Sequence, residues 1–286
     1  MSLSAFDLIR PAQLLSSVVF ASPHSGRCYP PDFVRDSLLD ETAIRSSEDA
    51  FVDQLFASVP DAGAPLLTTS VPRAFLDLNR SPDELDPSLI LGARGRGQNP
   101  RVASGLGVIP RVVANGRAIY AGKMPMKVAH HRIETYWRPY HAALQRTLDE
   151  AHRAFGHAIL IDCHSMPHEA MDGVPRAGGR CPEIVLGDRF GAAASREVVD
   201  RVEAAFTGAG LAVTRNAPFA GAYVTQAYGR PSRRQHAVQV EIDRSIYMDE
   251  RRVEPNAHFD QFRMLMGKVA AEIAAIGYDR MPLAAE

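Results

Sequence analysis

Cysteine is scarce in this chain of 286 residues, with three at Cys28, Cys163 and Cys181 and no CxxC spacing. An odd, scattered set argues against a disulfide framework and against a cysteine-rich zinc knuckle, and it suits a reducing compartment. Long apolar runs are missing too: no stretch of about 18 apolar residues occurs, so no membrane span is expected. The segment "MSLSAFDLIRPAQLL" lacks a basic start and an apolar run of roughly 7–15 residues, so it does not read as a secretory leader. An excess of either charge is also absent. The net charge of −1 gives no pull toward nucleic acid or an anionic membrane. The strings GxxxxGK[ST], HExxH and GxSxG do not occur, which removes the compact signatures of phosphate loops, one class of zinc protease and the serine elbow. The expectation is a cytoplasmic protein, monomer or homodimer, that acts on a small molecule.

What is present is globular: 46% hydrophobic and 23% charged residues, enough for one large domain spanning 1–286. Apolar runs at "SSVVFAS", "APLLTTSV", "HAILIDCH", "EIVLGD", "LAVTRNA" and "HAVQVEID" read as strands, with helical patterns between most of them. That alternation predicts an α/β fold with a mostly parallel, mixed sheet and helices on both faces. The longest helical pattern, "MKVAHHRIETYWRPYHAALQRTLDEAHRAF", contains Pro139, which predicts a kink or a break. The Gly- and Pro-rich "NRSPDELDPSLILGARGRGQNPRVASGLGVIP" is too long for a simple connection and reads as a functional loop.

The chemistry gathers at strand ends. His24 follows "SSVVFASP" as His164 follows "HAILIDC", so parallel strands bring both imidazoles to one edge, where ligands of such sheets bind. Imidazole suits zinc, and a catalytic zinc takes three protein ligands. Glu48 or Asp49, opening an amphipathic helix in "SSEDAFVDQLF", supplies the third. Asp162 reads as a carboxylate that orients His164, with Ser165 supporting. A nucleophilic Cys163 with His164 as base is disfavoured, because neighbouring strand residues point to opposite faces. In "HAVQVEID", Val238, Val240 and Ile242 share one face and Gln239, Glu241 and Asp243 the other, which offers Glu241 as an acid–base group. Arg73 and Arg80, around Asp77 and Asn79 in "RAFLDLNR", have the fork that grips a carboxylate. In "PFAGAYVTQAYGRP", Tyr223 and Thr225 are candidates for a pocket wall. His130, His131 and His141 read as structural or surface residues, with Arg132 and His141 reaching the site only if their helix borders it.

The strings "SPHSGRCYP", "EDAFVDQLF", "RAFLDLNR", "GVIPRV", "RPYHAAL", "DCHSMP", "EIVLGDRFG" and "VEIDRSIYMDE" together resemble the N-formylglutamate amidohydrolase family, from about Ser22 to about Glu250. "DLNR" is also similar to the element of aspartoacylase-like enzymes in the wider zinc-carboxypeptidase-like group. The resemblance implies a zinc-carboxypeptidase-like fold and a Zn2+-dependent hydrolase of N-acyl acidic amino acids, with N-formyl-L-glutamate the first choice. It implies His24, Asp49 and His164 as metal ligands, Glu241 as general base and then acid, and Arg73 near the scissile carbonyl. It assigns substrate binding to Arg80 with Asn79, and Arg244 is counted with them. The HxxE spacing of the wider group is absent, so the third ligand is distant in sequence. Two alternatives stand: a zinc deacylase or peptidase for other N-acyl amino acids or peptides, and a non-catalytic protein that captures an acidic metabolite.

Overall fold

The computed structural model describes residues 4–94, 99–174 and 180–278. A seven-stranded sheet contains β1 Asp7–Ile9, β2 Val18–Ser22, β3 Leu66–Thr68, β4 Ala158–Met166, β5 Ile184–Gly187, β6 Val213–Arg215 and β7 Gln235–Asp243, in the order β1-β3-β2-β4-β7-β5-β6. Neighbours among β3, β2, β4 and β7 run parallel. The edges are mixed: β1 is antiparallel to β3, and β5 is antiparallel to β7 and parallel to β6. The expected α/β class with a mixed sheet is the one formed. Strand β1 has no apolar signature because only Leu8 of its three residues is partly buried.

Every residue of β2 and β4 is buried, which is why both read as continuous apolar runs rather than as alternation. Side chains still alternate between two cores. Val18, Phe20, Ile159, Ile161 and Cys163 face helices α4 Arg196–Gly208 and α6 Phe259–Ala275 through Val202, Phe206 and Met266. Val19, Ala21, Ala158 and Leu160 face α3 Arg138–Phe155 through Tyr140, Leu144 and Leu148. Each fully buried Ile, Leu or Phe contributes roughly 1.5–3 kcal/mol, so this double cover fixes the register of the central strands.

The long helical segment, in which a kink or a break was expected at Pro139, is not divided. Helix α2 Met126–Arg132 passes through a π turn, Ile133–Trp137, into α3, and Pro139 sits in the first turn of α3. Arg138 N donates to Ile133 O, five residues back, and this wider bonding accommodates the donor that proline lacks. The carboxylate expected to open a helix lies instead in a turn. Phe51 is left-handed at φ 67°, and only the single turn α1 Val52–Leu55 follows. Helix α5 is Tyr223–Tyr228. Residues 95–98 of the glycine-rich loop lie outside the described residues. Among the described residues, no helix is long and apolar enough to cross a membrane.

Candidate active site

Strands β2 and β4 are parallel with Ala21 opposite Asp162, so the segments leaving them emerge at one edge. After β2 the chain turns at Pro23 and presents His24. Gly26 lets that turn press against the exit of β3, since a Cβ there would lie 2.2 Å from Val71 O. The turn holding Asp49 is tied directly to this one, because Asp49 N donates to His24 O at 3.0 Å. On the other side β4 and β7 place His164 opposite Glu241. Four short-range geometric facts thus bring together residues spread over more than two hundred positions.

His24, Asp49 and His164 are all buried, and one ligand atom from each lies within 4.8 Å of the other two. Asp49 Oδ2 is 2.9 Å from His164 Nδ1 and 3.4 Å from His24 Nδ1. Each ring's opposite nitrogen ends on a carboxylate: His24 Nε2 on Asp77 Oδ1 at 2.8 Å, and His164 Nε2 on Asp162 Oδ2 at 3.0 Å. Carboxylates behind imidazoles fix the ring orientation and turn each Nδ1 toward Asp49, as in histidines that hold metals. His24 Nδ1 is buried and has no hydrogen-bond partner. A buried nitrogen left so costs roughly 1–3 kcal/mol, and a cation between the rings and Asp49 removes that cost. Two imidazoles and one carboxylate are a donor set that fits zinc.

The surrounding charges are tightly ordered. Burial opposes ionisation of Asp49, yet the hydrogen bond from His164 and the adjacent His24 ring hold its carboxyl well below the usual range. Arg244 Nη2 donates to Asp49 Oδ1 at 2.8 Å, and its Nε donates to Ser165 Oγ at 3.0 Å. Burial also opposes the charge on Asp77, but His24, Arg80 and Arg73 hold its carboxyl well below the usual range. Burial pushes Glu241 up to about 7, against His164, Arg73 and Arg244, which favour its charge, while Asp49 adds to the rise. Gln239 Nε2 donates to Glu241 Oε1 at 2.8 Å and fixes the carboxylate. A buried acid that titrates near neutrality can both take and return a proton.

A cleft of about 730 Å³ opens over these groups, lined by His24, His164, Glu241, Arg73, Arg80 and Arg244 among others. Arg73 Nε donates to Asp77 Oδ2 at 3.2 Å, and its side chain keeps 25% of its surface exposed. Asn79 lines the cleft too, but its amide is engaged: Oδ1 accepts from Val224 N at 2.8 Å, and Nδ2 lies 3.4 Å from both Asp162 Oδ2 and Gln239 Oε1. Asn79 therefore braces the carboxylate behind His164.

Tyr223 and Thr225 stand behind the residues that line the cleft. Thr225 is fully buried and donates to Ala222 O, while the Tyr223 ring packs on Trp137 and His141, so neither lines the cleft and both support its wall from behind. Arg132 and His141 also stay out of the cleft. Arg132 lies 3.9 Å over the Phe75 ring and donates to Phe75 O. Burial pulls His141 down to about 4. Cys163 points into the other core, where burial raises its thiol well above the usual range. His130 and His131 are exposed. Sequence reasoning missed Asp77 as the partner of His24, and Arg101, Ser46 and Ser47 as cleft residues.

Comparison with known proteins identifies the family. The family described as N-formylglutamate amidohydrolase matches residues 16–248. The N-formylglutamate deformylase of Pseudomonas putida is 32% identical over 237 residues, 82% of this chain and 82% of that protein. The protein of the same name from Pseudomonas aeruginosa is 30% identical with the same coverage, 82% of each chain. Among solved structures, the N-formylglutamate amidohydrolase of Ralstonia eutropha JMP134 superposes with a TM-score of 0.87 at 33% identity, covering 95% of this chain and 98% of that one.

Proposed function

The chain belongs to the N-formylglutamate amidohydrolase family, and on that premise we infer that it hydrolyses N-formyl-L-glutamate to formate and L-glutamate, with zinc held by His24, His164 and Asp49. The observation that carries the reading is the convergence of two imidazoles and the Asp49 carboxylate, one imidazole nitrogen left without a partner, beside Glu241 at parallel strand ends. Zinc, when bound, supplies Lewis-acid polarisation and brings the pKa of a water toward about 7.

The protein's own groups do the remaining work. Glu241 takes a proton from the attacking water, whose oxygen joins the formyl carbon. As the C–N bond breaks, Glu241 returns the proton to the departing nitrogen. Arg73 faces the negative charge that develops on the carbonyl oxygen. Arg80, buried beside Asp77, receives the substrate carboxylate next to the scissile amide. Arg244 is assigned to holding Asp49 in place, since its donors end on Asp49 and Ser165.

The test is release of formate and its analogues from N-formyl-, N-acetyl- and N-succinyl-L-glutamate. The formyl substrate is expected to turn over fastest. Equal rates across the three would remove acyl selectivity, and binding of glutamate without any turnover would leave only metabolite capture. Amidation of the α-carboxylate is expected to remove most of the rate, and an unchanged rate would take Arg80 out of its role.

A further inference from the structure

N-Formylglutamate carries two carboxylates, whereas the deep cleft offers one guanidinium group that can take one. Arg244 is spent on Asp49 and Ser165, and Arg73 sits on Asp77 beside the reacting centre. Arg80 is buried and sends Nε to Leu106 O at 3.1 Å and Nη1 to Asn79 O at 2.7 Å. A dicarboxylate therefore needs a further cation, farther from the scissile amide.

Arg101 meets that need. It lines the same cleft, is exposed, and its guanidinium has no hydrogen bond or ion pair among the described residues. The same turn that anchors Arg80 also anchors Arg101: Leu106 O accepts from Arg80 Nε, while Leu106 N donates to Arg101 O at 2.8 Å. The single helical turn bearing Arg101, Pro100–Ala103, is capped by Asn99, whose Oδ1 accepts from Arg101 N at 3.0 Å. Asn99 is itself held by Glu84 at 3.2 Å, so the backbone under Arg101 is braced. Asp77 partners Arg80 at 3.9 Å, and the Glu84 carboxylate, which also acts on Arg80, is occupied by Asn99 and by Ser81 N. Burial lowers Arg80 most, Asp77 opposes the fall, and the charges of Arg73 and then Arg101 add to it, as expected of cations facing one cleft.

We propose that Arg101 is a specificity-determining residue that receives the side-chain carboxylate of an N-acyl acidic amino acid while Arg80 receives the α-carboxylate. The assignment rests on the amidohydrolase reading above. It explains how the cleft would separate glutamate from glutamine, which differ by a charge at constant shape.

The experiment compares kcat/KM for N-formyl-L-glutamate and N-formyl-L-glutamine in the parent protein, Arg101→Gln and Arg101→Lys. Binding of free L-glutamate and L-glutamine is measured calorimetrically beside it. A charge-assisted hydrogen bond predicts that Arg101→Gln lowers the glutamate-to-glutamine ratio by about tenfold or more, with the change in KM. Arg101→Lys should restore part of the ratio, because it keeps the charge and loses the fork. The binding ratio should fall in parallel. An unchanged ratio in Arg101→Gln, or an equal loss for both substrates, overturns the assignment while leaving the amidohydrolase reading intact. A parent protein that releases formate from neither substrate overturns that reading, and this assignment with it.

Discussion

At the floor of the cleft His24, Asp49 and His164 are buried on or beside strand ends, and a carboxylate stands behind each ring. At its rim Arg101 is exposed on a single helical turn within a long loop. The floor holds groups whose positions must not move. Its restraints come from parallel pairing of β2, β4 and β7 and from side chains locked by partners. The rim presents charge to a flexible substrate, and its restraints are local: a cap, a turn and the hydrogen bond from Leu106 N to Arg101 O. A rigid scaffold for chemistry and loops for recognition is the division that lets one fold change substrate without losing its centre.

Substitutions at the floor should therefore cost both stability and activity, and those nearer the rim mainly affinity. The largest effect is expected for Asp49→Ala, which strands Arg244 in the interior. Chemical denaturation should show a loss of about 3–5 kcal/mol, as for a broken buried ion pair; a loss below about 1 kcal/mol would mean that Asp49 is not the floor's anchor. Next, Glu241→Gln should lower kcat by on the order of a hundredfold or more with metal content unchanged. Near-normal turnover would remove Glu241 from the proton path.

Between floor and rim lies the segment Asp77–Arg80, clamped from the helical layer. His141 Nε2 reaches Leu78 O at 2.9 Å, and Tyr228 Oη meets its Nδ1 at 2.8 Å; burial holds the ring neutral against the Leu78 hydrogen bond, which favours its charge. Its folded-state pKa of about 4 lies below the ordinary 6.5. The unfolded chain then binds the extra proton first, so this stability is present above pH 6.5 and is lost as pH falls toward 4. Urea unfolding across that range should show roughly 2–3 kcal/mol less pH dependence in His141→Gln than in the parent. Identical slopes would show that His141 does not carry the charge change. Smallest is Trp137→Phe, which removes the indole donor from Arg80 O, 3.0 Å away. It should cost about 1 kcal/mol, seen as a severalfold rise in KM with kcat nearly constant. A fall in kcat alone would place Trp137 with the floor instead.

Much of the floor was legible because its signals are local. Apolar runs mark β2 and β4, period-two alternation points Glu241 and Gln239 to one face, and parallel strands put His24 and His164 on one edge. What was not legible depends on contacts between distant segments. Asp77 meets His24 across 53 positions, and between two arginines it reads as a solvated acid. Asn79 resembles a substrate group until its amide is seen to meet Asp162 and Gln239. Thr225 turns its hydroxyl back onto Ala222 O in α5, a direction that loop-like composition does not encode. The rim left little trace at all, since Arg101 is one arginine among several in a glycine-rich loop.

The central claim is that His24, Asp49 and His164 form a metal site, and its most direct test is metal content per chain. Elemental mass spectrometry on protein purified without chelator is expected to find about one zinc per chain in the parent and far less in folded His164→Ala. No bound metal in the parent, even after zinc is returned to the folded protein, would contradict the account and leave the buried triad as a structural ion network.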